Sequence, residues 1–331
     1  MDPARFFAAS RVVIVAGKGG VGKTTVAAAL ARAAARVGLR VLVVEVEGKG
    51  GLAAAHGRGD LGYDETELWP PGDPPGSGAV RARALTADDA LLEYLADHGL
   101  RRVSRRLVGT GALQMVSTAA PGIEDILLLG KVKQLERSGV ADLIVLDTPA
   151  AGHAVTFLRS VRGLLDAVSV GPIRAQAADV LEMLTDPARC RVVLVTLPEE
   201  TPVNELVETA YRLEDEVGVA LGPVVVNQVT AALPGLDIDP AHAAADAGVA
   251  LDPADLVALG EAARWRRRRA ALEETQLARL ARALPLPQIR LPTLAGVDVD
   301  RHDIDRLARA ALDGIEALDE AALALTGGGD P

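Results

Sequence analysis

The residues Gly17-Lys18-Gly19-Gly20-Val21-Gly22-Lys23-Thr24-Thr25 have the types and spacing of a phosphate cradle, G-x-x-x-x-G-K-[ST]. Glycines at this density let the backbone turn tightly. Successive N–H groups, from Gly19 and Gly20 through Val21 and Gly22, then point into one concavity that holds phosphate oxygens. Lys23 can reach the β- and γ-phosphates of a nucleoside triphosphate, and the Thr24 hydroxyl can ligate Mg²⁺. Thr25 continues into an alanine-rich helix whose positive N-terminal end faces the same anion. A second cation, Lys18, follows the first glycine. Only five of the 35 basic residues are lysine, yet both loop cations are. A compact ammonium on a thin stem fits a phosphate cradle where a planar guanidinium does not. Lys49, Lys131 and Lys133 are weaker candidates by the same logic, set against the plainer reading of solvated surface lysines.

Three more candidates stand at the ends of apolar runs. Asp147 follows Leu143–Leu146 and opens the segment Asp147-Thr148-Pro149-Ala150-Ala151-Gly152-His153. An acid at the carboxyl end of a buried strand is where a nucleotide enzyme holds the Mg²⁺ shell and senses the γ-phosphate, which makes Asp147 a candidate metal-shell and catalytic residue. The run Val41–Val46 leads into Glu47-Gly48-Lys49. Glu47 would lie near the phosphates and could orient the attacking water, or serve only as a structural or Mg²⁺-shell carboxylate. Glu45, two residues back on the same face, is its competitor. Pro223–Val226 ends in Asn227, whose amide donates and accepts at once, as an adenine edge requires. Strands also end in Asn for turn reasons.

A parallel sheet would bring these residues to one edge, and the sequence has the pattern of one. Arg11–Ala16, Val41–Val46, Val80–Leu85, Leu143–Leu146, Arg191–Thr196, Pro223–Val226 and Gln288–Leu291 read as strands, most of them separated by helical stretches. That alternation predicts an α/β fold, a doubly wound, mainly parallel sheet with P-loop NTPase architecture, in a single ATPase domain over residues 1–326. Leu68–Gly78 reads as a Pro/Gly loop without regular structure. Helical patterns around Ala87–Val108 and Ile123–Arg137 exceed what one crossover needs. With Ala154–Leu184 they predict a helical lobe from about 86–137 and 154–185. The glycine-rich end, 327–331, reads as a disordered tail. The run Arg264-Trp265-Arg266-Arg267-Arg268-Arg269 falls in a helical pattern and reads as a solvated face, with Glu273 and Glu274 at pairing distance.

Composition narrows the function. The 331 residues are 49% hydrophobic and 24% charged, enough for a sizeable core, and only 2% aromatic, so that core is aliphatic and alanine-rich. A net charge of −10 argues against non-specific nucleic-acid binding. The single cysteine, Cys190, excludes an internal disulfide and any multi-cysteine zinc or metalloid site within the chain. Met1–Phe7 leads quickly into the first strand, and no apolar run approaches a bilayer's span, so no signal peptide is expected. The expected location is cytoplasmic, with the inner membrane face as a peripheral alternative.

Together these residues resemble the ArsA-type ATPases, within the deviant-Walker-A class of P-loop proteins that also includes MinD, ParA and the carriers of tail-anchored membrane proteins. Asp147–His153 is similar to the family's D-T-A-P-T-G-H, with the A-P order inverted. Pro121-Gly122-Ile123-Glu124-Asp125 resembles its P-G segment followed by two acids, and Pro198-Glu199-Glu200 its P-E segment. Asn227-Gln228 resembles its strand-ending Asn, and Leu291-Pro292 its adenine-side loop. The pattern is most similar to the actinobacterial ArsA-like group. The resemblance implies ATP or ADP with Mg²⁺ at or near the interface of a homodimer, or of a heterodimer with a related ATPase. It implies that Lys18 reaches the partner's phosphates like an arginine finger, that Glu47 replaces the family's switch aspartate, and that Asn227 and Pro292 flank the adenine. The implied function is a nucleotide-driven dimeric switch coupled to an unknown client, with a membrane protein or transporter as one candidate. The other readings are a carrier of membrane-protein segments and a ParA- or MinD-like positioning ATPase.

Overall fold

The computed structural model describes residues 1–46, 50–97, 122–148, 151–296 and 298–318. After a short helix α1 (Pro3–Ala8), the chain runs β1 (Val12–Gly17), α2 (Lys23–Arg36), β2 (Val41–Val46), α3 (Gly51–Ala55), β3 (Thr66–Trp69), β4 (Val80–Leu85) and α4 (Ala87–Asp97). It continues through α5 (Ile123–Ser138), β5 (Leu143–Asp147), α6 (Ala151–Ala167), α7 (Pro172–Thr185), β6 (Cys190–Thr196) and α8 (Glu200–Glu216). Then follow β7 (Val224–Val229), α9 (Pro240–Asp246), α10 (Pro253–Ala283), β8 (Gln288–Pro292) and α11 (Arg301–Glu316). The eight strands form one sheet in the order β3-β4-β2-β5-β1-β6-β7-β8. All neighbours are parallel except β3, which pairs antiparallel with β4 at the edge.

The central strands read as unbroken apolar runs because both their faces are covered. One face packs under α1, α2, α3 and α11, with Val15, Val43, Val145 and Val195 pointing into it. The other packs under α4 to α8 and the C-terminal end of α10. Helix α2 lies flat on the sheet with most of its residues buried, and its alanines allow the close approach. Arg32 and Arg36 on α2 both bond Asp305 of α11 (2.9 and 2.6 Å), fixing the two helices side by side.

Two expectations change. The Pro/Gly loop begins later than the sequence suggests, because Leu68 and Trp69 belong to β3. Trp69 is buried there, with the His56 ring edge-on at 4.3 Å and the Arg32 guanidinium over it, and this packing outweighs the turn-forming residues that follow. The stretch Ala154–Leu184 is two helices, broken at Gly171, whose φ of 112° is open to glycine but strained for other residues. The helices of the expected lobe share their core with the sheet: Ile126, Leu127, Leu128 and Leu129 are all buried within it. Residues 98–108 and 327–331 lie outside the described residues.

Candidate functional site

The loop joining β1 to α2 sits at the carboxyl edge of the sheet, where the strand order reverses around β1. Two glycines are needed for their shape. A Cβ on Gly17 would lie 2.3 Å from the Val195 carbonyl oxygen of neighbouring β6. Gly22 has φ of 84°, and a Cβ there would lie 2.4 Å from the Asn227 amide nitrogen. Gly19 and Gly20, by contrast, face solvent. Gly22 caps α2 without any side-chain hydrogen bond, so the first N–H groups of this 14-residue helix keep their capacity for an anion.

The polar residues converge on that loop. Lys23 is buried, and its Nζ donates to the backbone oxygen of Lys18 at 3.0 Å, which folds the side chain back over the cradle. The Thr24 hydroxyl donates to Asp147 Oδ2 at 2.6 Å. Asp147 is only 1% exposed. Its strand is set against β1 with Val15 opposite Asp147, and the next residue, Thr148, donates its hydroxyl to the Val15 carbonyl at 2.8 Å. Asp147 is also in register with Glu45 of β2, a carboxylate with no exposed surface, so two acids lie side by side on the α2 face. Asn227 donates its amide N–H to the Val21 carbonyl at 3.0 Å and so braces the loop from β7. A break in the β7–β8 register between Val226 and Val229, with Gln228 at φ of 57°, accompanies this placement. Pro292, at the end of β8, stands opposite Val229, three strands from β1. Thr24 and Thr25 also line a cleft of about 440 Å³, whose other walls are α3 and the segment at Asp298 and Val299.

The structure therefore gathers Gly17 to Thr25, Asp147 and Asn227 at one place, and sets Pro292 farther along the same edge. Glu47, Lys49, Pro121, Pro149 and Ala150 lie outside the described residues. Lys131 and Lys133 do not face the cradle. On α5, Lys131 bonds Glu93 of α4 (2.5 Å) and Gln134 (3.1 Å), while Lys133 bonds Asp179 of α7 (2.9 Å); both tie the helices together. The expectation that they bind phosphate yields to that local charge pairing. Sequence reasoning missed Glu205. It sits on α8 and holds the half-exposed Lys18 ammonium at 2.6 Å within the same chain. Nothing in a helical Glu marks it as the partner of a lysine 187 residues away.

The donor set at Thr24 and Asp147 fits Mg²⁺. One hydroxyl and one carboxylate are hard oxygen ligands, and Mg²⁺ takes few protein ligands beside water and phosphate oxygens. No group of three or more His, Cys, Asp or Glu side chains suited to a metal occurs among the described residues. Burial pushes the Cys190 thiol up to about 12, so the chain has no thiolate for soft-metal chemistry near neutral pH.

A glycine cradle running into an uncapped helix, with a strand-ending carboxylate on the loop threonine, defines a P-loop nucleotide-binding protein. Comparison with known proteins gives the family: the model of the CobQ/CobB/MinD/ParA nucleotide binding domain matches residues 12–319, and the chain belongs to that family. ATPase BagA of Mycobacterium tuberculosis is 34% identical over 310 residues, 87% of this chain and 89% of that protein. ATPase ARSA1 of Chlamydomonas reinhardtii is 27% identical over 271 residues, 66% of this chain and 34% of that protein. Protein Rv2184c of Mycobacterium tuberculosis is 30% identical over 257 residues, 67% of this chain and 60% of that protein. No helix among the described residues is long and apolar enough to cross a membrane.

Proposed function

We propose that this chain is a Mg²⁺-dependent ATPase that works as a nucleotide-driven dimeric switch. The observation that carries the reading is the 2.6 Å bond between Thr24 and Asp147. It links the phosphate loop to the segment after β5, so a change at the γ-phosphate reaches the residues leading into α6. In this reading the loop amides and Lys23 hold the β- and γ-phosphates. Thr24 and Asp147 would hold the metal, which would supply charge neutralisation to the phosphates. Asn227 keeps the loop in shape and, with Pro292, borders the adenine. Glu47 or its neighbour Glu45 orients the attacking water. Lys18 exchanges Glu205 of its own chain for the phosphates of a partner subunit when the dimer closes.

Native mass spectrometry of the protein, together with ATP turnover in Mg²⁺ and in EDTA, tests this. Expected are Mg²⁺-dependent turnover and a mass of twice the chain with ADP and aluminium fluoride. A monomer under those trapping conditions would sink the cross-subunit role of Lys18, and turnover in EDTA would sink the metal role. The carrier reading draws on one feature, an apolar cleft between α4, α5 and α7 lined by Leu91, Tyr94, Ile126 and Ile173. At about 80 Å³ it admits a side chain or two rather than a helix, which favours the switch.

A further inference from the structure

Helix α10 is 31 residues long, yet it buries only Glu273, Leu277 and Leu280, all in its C-terminal part. Its first five turns, Pro253–Leu272, bury nothing, and neither does α9 before it. Residues at i, i+4, i+7, i+8, i+11 and i+15 share a helical face. Counting from Val257, these are Glu261, Arg264, Trp265, Arg268 and Leu272. That face points away from the body: Val257 is 61% exposed, Trp265 67% and Leu272 65%. The opposite stripe, through Arg266 and Arg269, turns inward. Arg266 bonds the Ala231 carbonyl, and Arg269 bonds Glu199 and Glu273. Arg264, Arg267 and Arg268 make no ion pair among the described residues. Glu261 is the acid on the outward stripe.

We infer that the outward face of α10 docks on an anionic membrane surface, with Trp265, Val257 and Leu272 at the headgroup–acyl boundary, Arg264 and Arg268 on lipid phosphates, and Arg267 flanking that face beside Arg264. Two features select this partner, and two alternatives fit it less well. An indole and long aliphatic-stemmed cations on one helical face match a surface that is charged outside and apolar a few ångströms below. The chain carries −10 overall, so anionic lipid repels it as a whole, and this cationic face favours the orientation that turns it toward the lipid. A second copy of the chain fits poorly, since two-fold pairing of this face would set arginines against arginines. Duplex DNA would use the arginines and leave the exposed apolar side chains in water.

The test uses the full chain with vesicles of phosphatidylglycerol and phosphatidylcholine, or of phosphatidylcholine alone. The two tryptophans are Trp69, which is buried, and Trp265, so a change in emission on binding reports Trp265. Expected are co-sedimentation with the anionic vesicles and a blue shift of emission, both weakened by salt. The triple variant Arg264→Gln, Arg267→Gln, Arg268→Gln should bind about a hundredfold more weakly, from the contribution of each basic residue near an anionic surface. Its ATP turnover should match the parent, which also shows that it folds. Unshifted emission with anionic vesicles overturns the inference. So does equal binding to pure phosphatidylcholine, or duplex DNA that shifts Trp265 and displaces the vesicles. A shift that depends on protein concentration without lipid would assign the face to self-association and overturn it as well.

Discussion

The phosphate loop and the outer half of α10 are both rich in cations, and they treat them in opposite ways. At the loop every described cation is held: Lys23 by the Lys18 carbonyl and Lys18 by Glu205. The glycines are pinned by the Val195 and Asn227 atoms beside them. On α10, Arg264, Arg267 and Arg268 stand in solvent beside large exposed apolar groups. A cation with an internal partner can act by exchanging it for another. One without a partner contributes nothing to the fold and is available to something outside. The two regions should therefore respond to substitution in opposite ways.

The largest contrast is expected in turnover. Lys23→Ala and Asp147→Asn should each lower the rate of ATP hydrolysis by about a hundredfold or more, the scale of losing one electrostatic contact to a developing charge. Arg267→Ala should leave that rate within experimental scatter. A steady-state phosphate-release assay compares all three, and a loss for Arg267→Ala would erase the distinction between the regions. Stability gives the next contrast, along one helix. Leu280 is fully buried and Leu272 is not. Urea denaturation should show Leu280→Ala destabilising by about 2–5 kcal/mol and Leu272→Ala by less than about 0.5 kcal/mol.

A smaller effect tests the held lysine. Glu205→Gln removes an ion pair between two half-exposed groups, so stability should change by under about 1 kcal/mol. Releasing Lys18 should raise the dimer fraction with ADP and aluminium fluoride by up to about fivefold, the same energy read as an equilibrium constant. A fall in that fraction would make Glu205 part of the closed dimer instead. The smallest effect concerns pH. Burial holds the His56 imidazole below its ordinary value of 6.5, outweighing its Nδ1–H bond to the Leu52 carbonyl, which acts the other way. The fold on balance favours the neutral ring. Its contribution is fully present above about pH 6.5 and is lost as pH falls through the lowered folded value. Thermal melts of the parent should drop between pH 7.5 and 5.5 by more than those of His56→Gln.

The sheet was largely legible because buried parallel strands are continuous apolar runs, and those around β1, β2, β5, β6, β7 and β8 stand out as such. Edge strand β3 was not, since Thr66–Trp69 is short, runs into prolines, and is held by packing of Trp69 with residues far away in sequence. At the site, the loop motif and a strand-ending acid pointed to Thr24 and Asp147, and the structure puts them in contact. Asn227 stands out in the sequence as an amide closing an apolar run, although β7 continues past it to Val229; its bond to Val21, 206 residues away, and the nearby break in the β7–β8 register are encoded by no local pattern. Glu205 was illegible for a plainer reason: its partner is chosen by how α8 lies against the loop. The arginine run reads as a solvated face, and the structure splits it: Arg264, Arg267 and Arg268 are exposed, whereas Arg266 and Arg269 turn inward onto Ala231, Glu199 and Glu273. The exposure of Trp265 among those arginines is tertiary information.

Cys190 lies wholly buried in β6 with its thiol pushed up to about 12, and the chain has no other cysteine. To a maleimide dye in neutral buffer the folded protein is therefore blank. A thiol placed by Trp265→Cys on α10, or by another surface substitution beside the phosphate loop, would be the sole address for a probe. Paired labels could then follow, molecule by molecule, how far apart these two regions sit as nucleotide binds and turns over.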